Sequence, residues 1–79
     1  MFTVYVLKST VIAKSYVGVT NNIERRLKEH NSGYHSYTKR YLPWEVIYKE
    51  EFSTFTEARA KEKQLKSTSG RRFLKKLFQ

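Results

Sequence analysis

The chain has 79 residues, no cysteine, and 16 Lys plus Arg against seven acids, for a formal charge of +9 and a pI of about 10.0. That length sets the expectation of one domain over residues 1–79, close to the size at which a single core barely suffices. Without cysteine, a disulfide framework and a thiolate metal site are excluded, and His30 and His35 cannot close a structural zinc site alone. The pI lies above the level of about 9 that marks nucleic-acid binders, so a polyanionic partner is expected. No apolar run approaches the roughly 18 residues of a spanning helix, and "MFTVYVLK" has no basic leader segment, so the expectation is no membrane and a cytoplasmic location.

In chain order, "FTVYVL" (2–7) alternates and is β-branched and aromatic, which predicts a strand, and "SYVGV" (15–19) predicts a second. A short turn around Thr10 and Val11 would make them a hairpin in which Tyr5 pairs with Tyr16, Thr3 with Gly18 and Leu7 with Lys14. Both tyrosines then share one face. "NNIE" reads as a capping box with Asn21 as N-cap and Glu24 three residues on, and "NSG" as a stop, so a helix is expected over 22–31. "YHSYTKRY" (34–41) has no periodicity and reads as a loop before Pro43. "WEVIYKEEF" (44–52) predicts a third strand with Trp44 as a core anchor.

A second capping box, Thr54 to Glu57, opens a helix over 55–66. After "STSG" the segment "RRFLKKLF" (71–78) forms an amphipathic helix that would bury Phe73, Leu74, Leu77 and Phe78. The order β-β-α-β-α-α defines an α+β fold with a small, mostly antiparallel three-stranded sheet flanked by helices.

Two helical stripes are interrupted by polar residues. Ile23, Arg26, Leu27 and His30 fall at i, i+3, i+4 and i+7, and Phe55, Ala58, Glu62 and Leu65 at i, i+3, i+7 and i+10. Singly, the arginine could snorkel, the histidine could be a satisfied core residue, and Glu62 could neutralise Arg26. Together they would set three polar side chains from two helices against the sheet. Buried charge is costly, and local rules are broken mainly at functional sites.

The order and spacing of "VYV" (4–6), "YVG" (16–18), "IERRLKEH" (23–30) and "EARAKEKQLK" (57–66), with ten residues between Tyr5 and Tyr16, resemble the GIY-YIG nuclease superfamily. Within it the chain is similar to the small stand-alone bacterial members related to the nuclease domain of the DNA-repair excinuclease. Thr3 stands where the first motif has glycine, and Val4 and Val17 where the motifs have isoleucine. The resemblance implies that Tyr5, Tyr16, Arg26, His30 and Glu62 are catalytic, with Glu62 binding Mg²⁺ or Mn²⁺.

The implied reaction is hydrolysis of DNA phosphodiester bonds by a one-metal mechanism. Glu62 would hold a Mg²⁺ that keeps most of its waters, Arg26 would donate to the phosphate as a fork, and Tyr16, assisted by Tyr5 or His30, would orient or deprotonate the water. The acids are all glutamate, and two-metal nucleases gather several carboxylates, which independently favours one metal. For nucleic-acid contacts the expectation is Thr38, Lys39 and Arg40 in the aromatic segment and Lys63, Lys66, Arg71 and Arg72 on the C-terminal helices. The DNA partner is expected to be recognised by structure or with weak sequence specificity, or with a partner protein supplying the specificity. Two other classes fit the same charge: a non-catalytic nucleic-acid-binding module on this fold, and a basic protein-interaction domain.

Overall fold

A computed structural model describes residues 1–33 and 36–77. Along the chain these form β1 (Phe2–Ser9), β2 (Ser15–Thr20), α1 (Ile23–Asn31), α2 (Ser36–Lys39), β3 (Trp44–Phe52), α3 (Phe55–Leu65) and α4 (Thr68–Leu77). The strands make one antiparallel sheet in the order β2-β1-β3. Helices cover both faces of β1, so its alternate residues enter different cores. Val4 and Val6 join Ala58, Leu65 and Leu74 under α3 and α4. Tyr5, Leu7 and Trp44 gather Tyr16, Ile23 and Leu27 beneath α1. The two interrupted stripes therefore pack on opposite faces of the sheet, not against a common face.

The hairpin register differs from the predicted one by two residues: Tyr5 lies opposite Gly18, Leu7 opposite Tyr16 and Thr3 opposite Thr20. The connection is longer than a tight turn because Ser9 organises it. Its backbone N–H donates to Lys14 O (3.0 Å), and its Oγ accepts from the N–H groups of Val11 (3.2 Å) and Ile12 (3.3 Å). A two-residue shift preserves the pleat, so Tyr5 and Tyr16 still share a face.

Helix α1 is capped by Asn22, not Asn21: the Asn22 side chain accepts from Arg25 N–H at 3.0 Å, while Asn21 accepts from the Arg25 guanidinium at 3.4 Å. The segment expected as a loop contains the four-residue helix α2. Tertiary bonds hold it, since Trp44 Nε1 donates to Thr38 O at 2.7 Å and Thr38 Oγ1 bonds His30 Nδ1 at 2.9 Å. Trp44 is a core anchor as expected, 3% exposed. Asn31 clamps its backbone like a neighbouring strand, accepting from Trp44 N–H (2.7 Å) and donating to Trp44 O (3.1 Å).

Helix α3 starts on its predicted cap, Thr54, whose hydroxyl accepts from Glu57 N–H at 3.2 Å. Phe55 is not part of the buried stripe. It is 52% exposed and packs edge-on against Phe2, ring centroids 5.5 Å apart.

Helix α4 begins earlier than expected because Ser67 caps it, its Oγ accepting from Gly70 N–H at 3.3 Å. Gly70 presses against the end of α3, where a Cβ would stand 2.3 Å from the carbonyl oxygens of Gln64 and Leu65. "STSG" is thus a helix start built for close approach. Of the four residues expected to be buried, Leu74 is buried, whereas Phe73 and Leu77 are each 39% exposed, and Phe78 lies outside the described residues.

Candidate active site

Alternation along β1 aims the Tyr5 side chain at α1, and the helical repeat brings His30, one turn after Arg26, back to the same face. The Tyr5 hydroxyl and His30 Nε2 are 3.2 Å apart, and the other ring nitrogen of His30 meets Thr38. His30 and Thr38 are fully buried and Tyr5 is 2% exposed, so these three groups form a dry polar spine joining β1, α1 and α2. Tyr16 closes the cluster, its ring centroid 4.8 Å from that of His30 and 6.2 Å from that of Tyr5.

Gly18 makes room for this arrangement. A Cβ there would lie 2.6 Å from the Tyr5 hydroxyl oxygen, 2.8 Å from Tyr5 Cζ and 3.0 Å from Tyr16 Cε1. A glycine inside a strand pattern marks such a close approach, so its role was open to sequence reasoning that dwelt instead on the tyrosines. Burial pushes the Tyr5 phenol well above its ordinary value of about 10. Tyr16, Glu62 and Glu29 push it the same way, while the Arg26 guanidinium opposes them. Tyr5 therefore stays protonated at neutral pH. Arg26 and Glu62 thus act in opposite directions on the Tyr5 phenol.

Arg26 is half-buried and pairs loosely with Glu29, Nη1 to Oε1 at 3.5 Å. Its Nε is buried and has no hydrogen-bond partner among the described residues. Such an N–H costs about 1–3 kcal/mol when left unsatisfied. Glu62 is 7% exposed, and its partners are not Arg26 but two residues of its own helical run. Arg59 donates to Oε1, and Lys66 Nζ to Oε2 at 3.0 Å. The side chains of Arg59 and Lys66 are 60% and 56% exposed, so water can take over their charge if Glu62 turns to another cation. Sequence reasoning missed Arg59, although its i, i+3 spacing to Glu62 is the signal for such a pair.

Of the residues expected to contact nucleic acid, Lys39, Arg40, Lys63, Lys66, Arg71 and Arg72 are exposed. Thr38 is a correction: it is fully buried, its hydroxyl serves His30, and it offers nothing to a ligand. Tyr37 is 47% exposed, and Tyr34 lies outside the described residues. No three His, Asp or Glu side chains assemble into a metal-binding group among the described residues. No helix among them is long and apolar enough to cross a membrane.

A three-stranded antiparallel sheet with clustered phenols, flanked by helices carrying Arg26, His30 and Glu62, defines a small domain of α+β type. The family model of the GIY-YIG catalytic domain matches residues 1–76, and the chain belongs to that family. It is similar to a UPF0213 protein of Bacillus licheniformis, 49% identical over 55 residues, 68% of this chain and 57% of the relative. A UPF0213 protein of Natronomonas pharaonis is 39% identical over 67 residues, 84% of this chain and 78% of the relative. The solution NMR structure of a UPF0213 protein from Bacillus halodurans superposes with a TM-score of 0.56 at 30% identity, covering 98% of this chain and 85% of the other. The chain thus spans a little over half the length of the Bacillus licheniformis relative and most of the other two.

Proposed function

We propose that this protein is a divalent-metal-dependent endonuclease that hydrolyses phosphodiester bonds in DNA with a single Mg²⁺ or Mn²⁺. The observation that carries the reading is the buried Nε of Arg26, without a hydrogen-bond partner among the described residues, on a guanidinium that acts electrostatically on Tyr5 of the Tyr5, Tyr16 and His30 cluster. A phosphate oxygen supplies the missing acceptor, and a guanidinium is the side chain best shaped to donate to it.

Glu62 fits a metal of this kind. Its carboxylate keeps a second lone pair on each oxygen beyond those facing Arg59 and Lys66, and Mg²⁺ asks for only one or two carboxylates plus water. When bound, the ion supplies Lewis-acid stabilisation of phosphate charge and of the departing oxygen. Arg26, whose side chain is 30% exposed, fixes the phosphate through its guanidinium. Tyr16, half-buried at the open side of the cluster, orients the attacking water. Tyr5 and His30 hold Tyr16 in place through ring contacts, Tyr5 acting as a neutral hydroxyl and not as the base.

The test is cleavage of plasmid, branched and single-stranded DNA with Mg²⁺ or Mn²⁺, by wild type and Arg26→Ala. Metal-dependent nicking lost in the variant supports the reading. Salt-sensitive DNA binding with no cleavage of any substrate points instead to a nucleic-acid-binding module.

A further inference from the structure

A cleft of about 360 Å³ opens along β2, lined by Tyr16 and Val17 of that strand, Tyr37 of α2, and Lys66, Arg71 and Leu74. Its size falls in the roughly 300–1,000 Å³ range of small-ligand pockets. Tyr37 is 47% exposed yet well supported, its ring centroid 6.2 Å from Tyr16, 5.6 Å from Tyr41 and 6.4 Å from Trp44. Three ring contacts hold it while nearly half of its surface stays open, so little rotamer freedom remains to be lost on binding. Lys66 and Arg71, both exposed, bring two cations to the same cleft.

That combination selects a ligand. An inorganic anion has no use for the aromatic ring, and an apolar ligand has no use for the cations, whereas a nucleotide uses both. Within a duplex, base faces are covered by their neighbours, so only an unpaired nucleotide presents one to a tyrosine. The cleft also joins the two halves of the site. Tyr16 lines it and belongs to the tyrosine cluster, and Lys66 lines it while donating to Glu62 at 3.0 Å.

We propose that this cleft receives one unpaired nucleotide of the substrate strand, with its base on Tyr37 and its phosphate on Arg71 and Lys66. The preferred substrate is then single-stranded or locally unpaired nucleic acid. The inference rests on the endonuclease reading only in taking the bound strand as the substrate.

The experiment titrates wild type, Tyr37→Ala and Tyr37→Phe into a 2-aminopurine-labelled single strand and the matching duplex, in EDTA so that binding is read without cleavage. Wild type should quench the single strand's fluorescence and the phenylalanine variant should match it. The alanine variant should bind the single strand about tenfold more weakly while binding the duplex as wild type does. Absence of quenching by wild type overturns the proposal without recourse to any variant, and so does an equal loss on both substrates in Tyr37→Ala. Adding Mg²⁺ separates the two readings. Tyr37-dependent binding with no cleavage removes the endonuclease and keeps the base site. Duplex cleavage at equal rates by wild type and Tyr37→Ala, with the single strand uncut, does the reverse.

Discussion

The Tyr5 hydroxyl and His30 Nε2 meet at 3.2 Å with neither side chain open to solvent. Removing that hydroxyl withdraws one partner from a buried imidazole, which costs about 1–3 kcal/mol. Tyr5→Phe is expected to lower the melting temperature, to slow cleavage by roughly 10² through a less firmly held Tyr16, and to leave DNA affinity nearly unchanged. Thermal melts, single-turnover rates and anisotropy titrations on the same preparation check all three. An unchanged cleavage rate would make the Tyr5–His30 bond purely structural.

Gly18→Ala tests the packing of the cluster from the other strand. The added methyl would collide with Tyr5 and Tyr16 at 3.0 Å or less, and neither ring can yield without disturbing His30. Overpacking of this kind costs about 1–3 kcal/mol. The expected outcome is a lower melting temperature and an altered near-ultraviolet circular dichroism signal from the tyrosines. A variant as stable as wild type would show that the rings have room to move.

Glu62→Gln should fold, bind DNA and fail to cleave. The carboxylate's partners are the largely exposed Arg59 and Lys66, so losing its charge returns two cations to water and strands none in the interior. Glu62→Leu should be at least as stable as wild type, since it continues the apolar line of Ala58 and Leu65. Melts and metal-dependent cleavage of both variants decide the matter. Loss of folding in both would make Glu62 a structural charge.

Alkaline pH should destabilise the protein through its tyrosines. Tyr48 is pushed up to about 12, first by burial and then by its hydrogen bond to Glu50, and Tyr5 is raised by burial. In the unfolded chain both titrate near 10. The folded state therefore holds protons that the unfolded state releases, so this stabilisation is complete below about pH 10 and is lost as pH climbs from there through the folded values. Melting temperature followed from pH 8 to 12, together with phenolate absorbance, should show the decline above about pH 10, and Tyr48→Phe should make it shallower. An equally steep decline in Tyr48→Phe would assign it to other groups.

What the sequence made legible was periodicity and capping chemistry. All three strands, the helix on its Thr54 cap and the polar interruptions at Arg26, His30 and Glu62 could be read because each is a local pattern. The misreadings share a different cause. Asn21 and Asn22 have the same chemistry, so a local rule cannot choose between them. The hairpin register depends on Ser9 bonding across its own loop. Helix α2 is too short to carry a period and exists through bonds from His30 and Trp44, one preceding it and one following it. The start of α4 was hidden because a glycine that reads as a break is there for contact with the α3 backbone. Glu62 pairs with its i−3 and i+4 neighbours, a local option that competes with any distant cation.

With β1 in the middle, β3 has a row of backbone groups along one side that no strand among the described residues pairs. Polymerisation by strand addition begins at such rows. Here Glu45, Lys49, Glu50 and Glu51 stand exposed along β3. A second copy aligned there would bring carboxylates against carboxylates and strip water from them, a cost paired backbone groups do not repay. Fibre growth from this side of the sheet is thereby disfavoured, although no described strand pairs it.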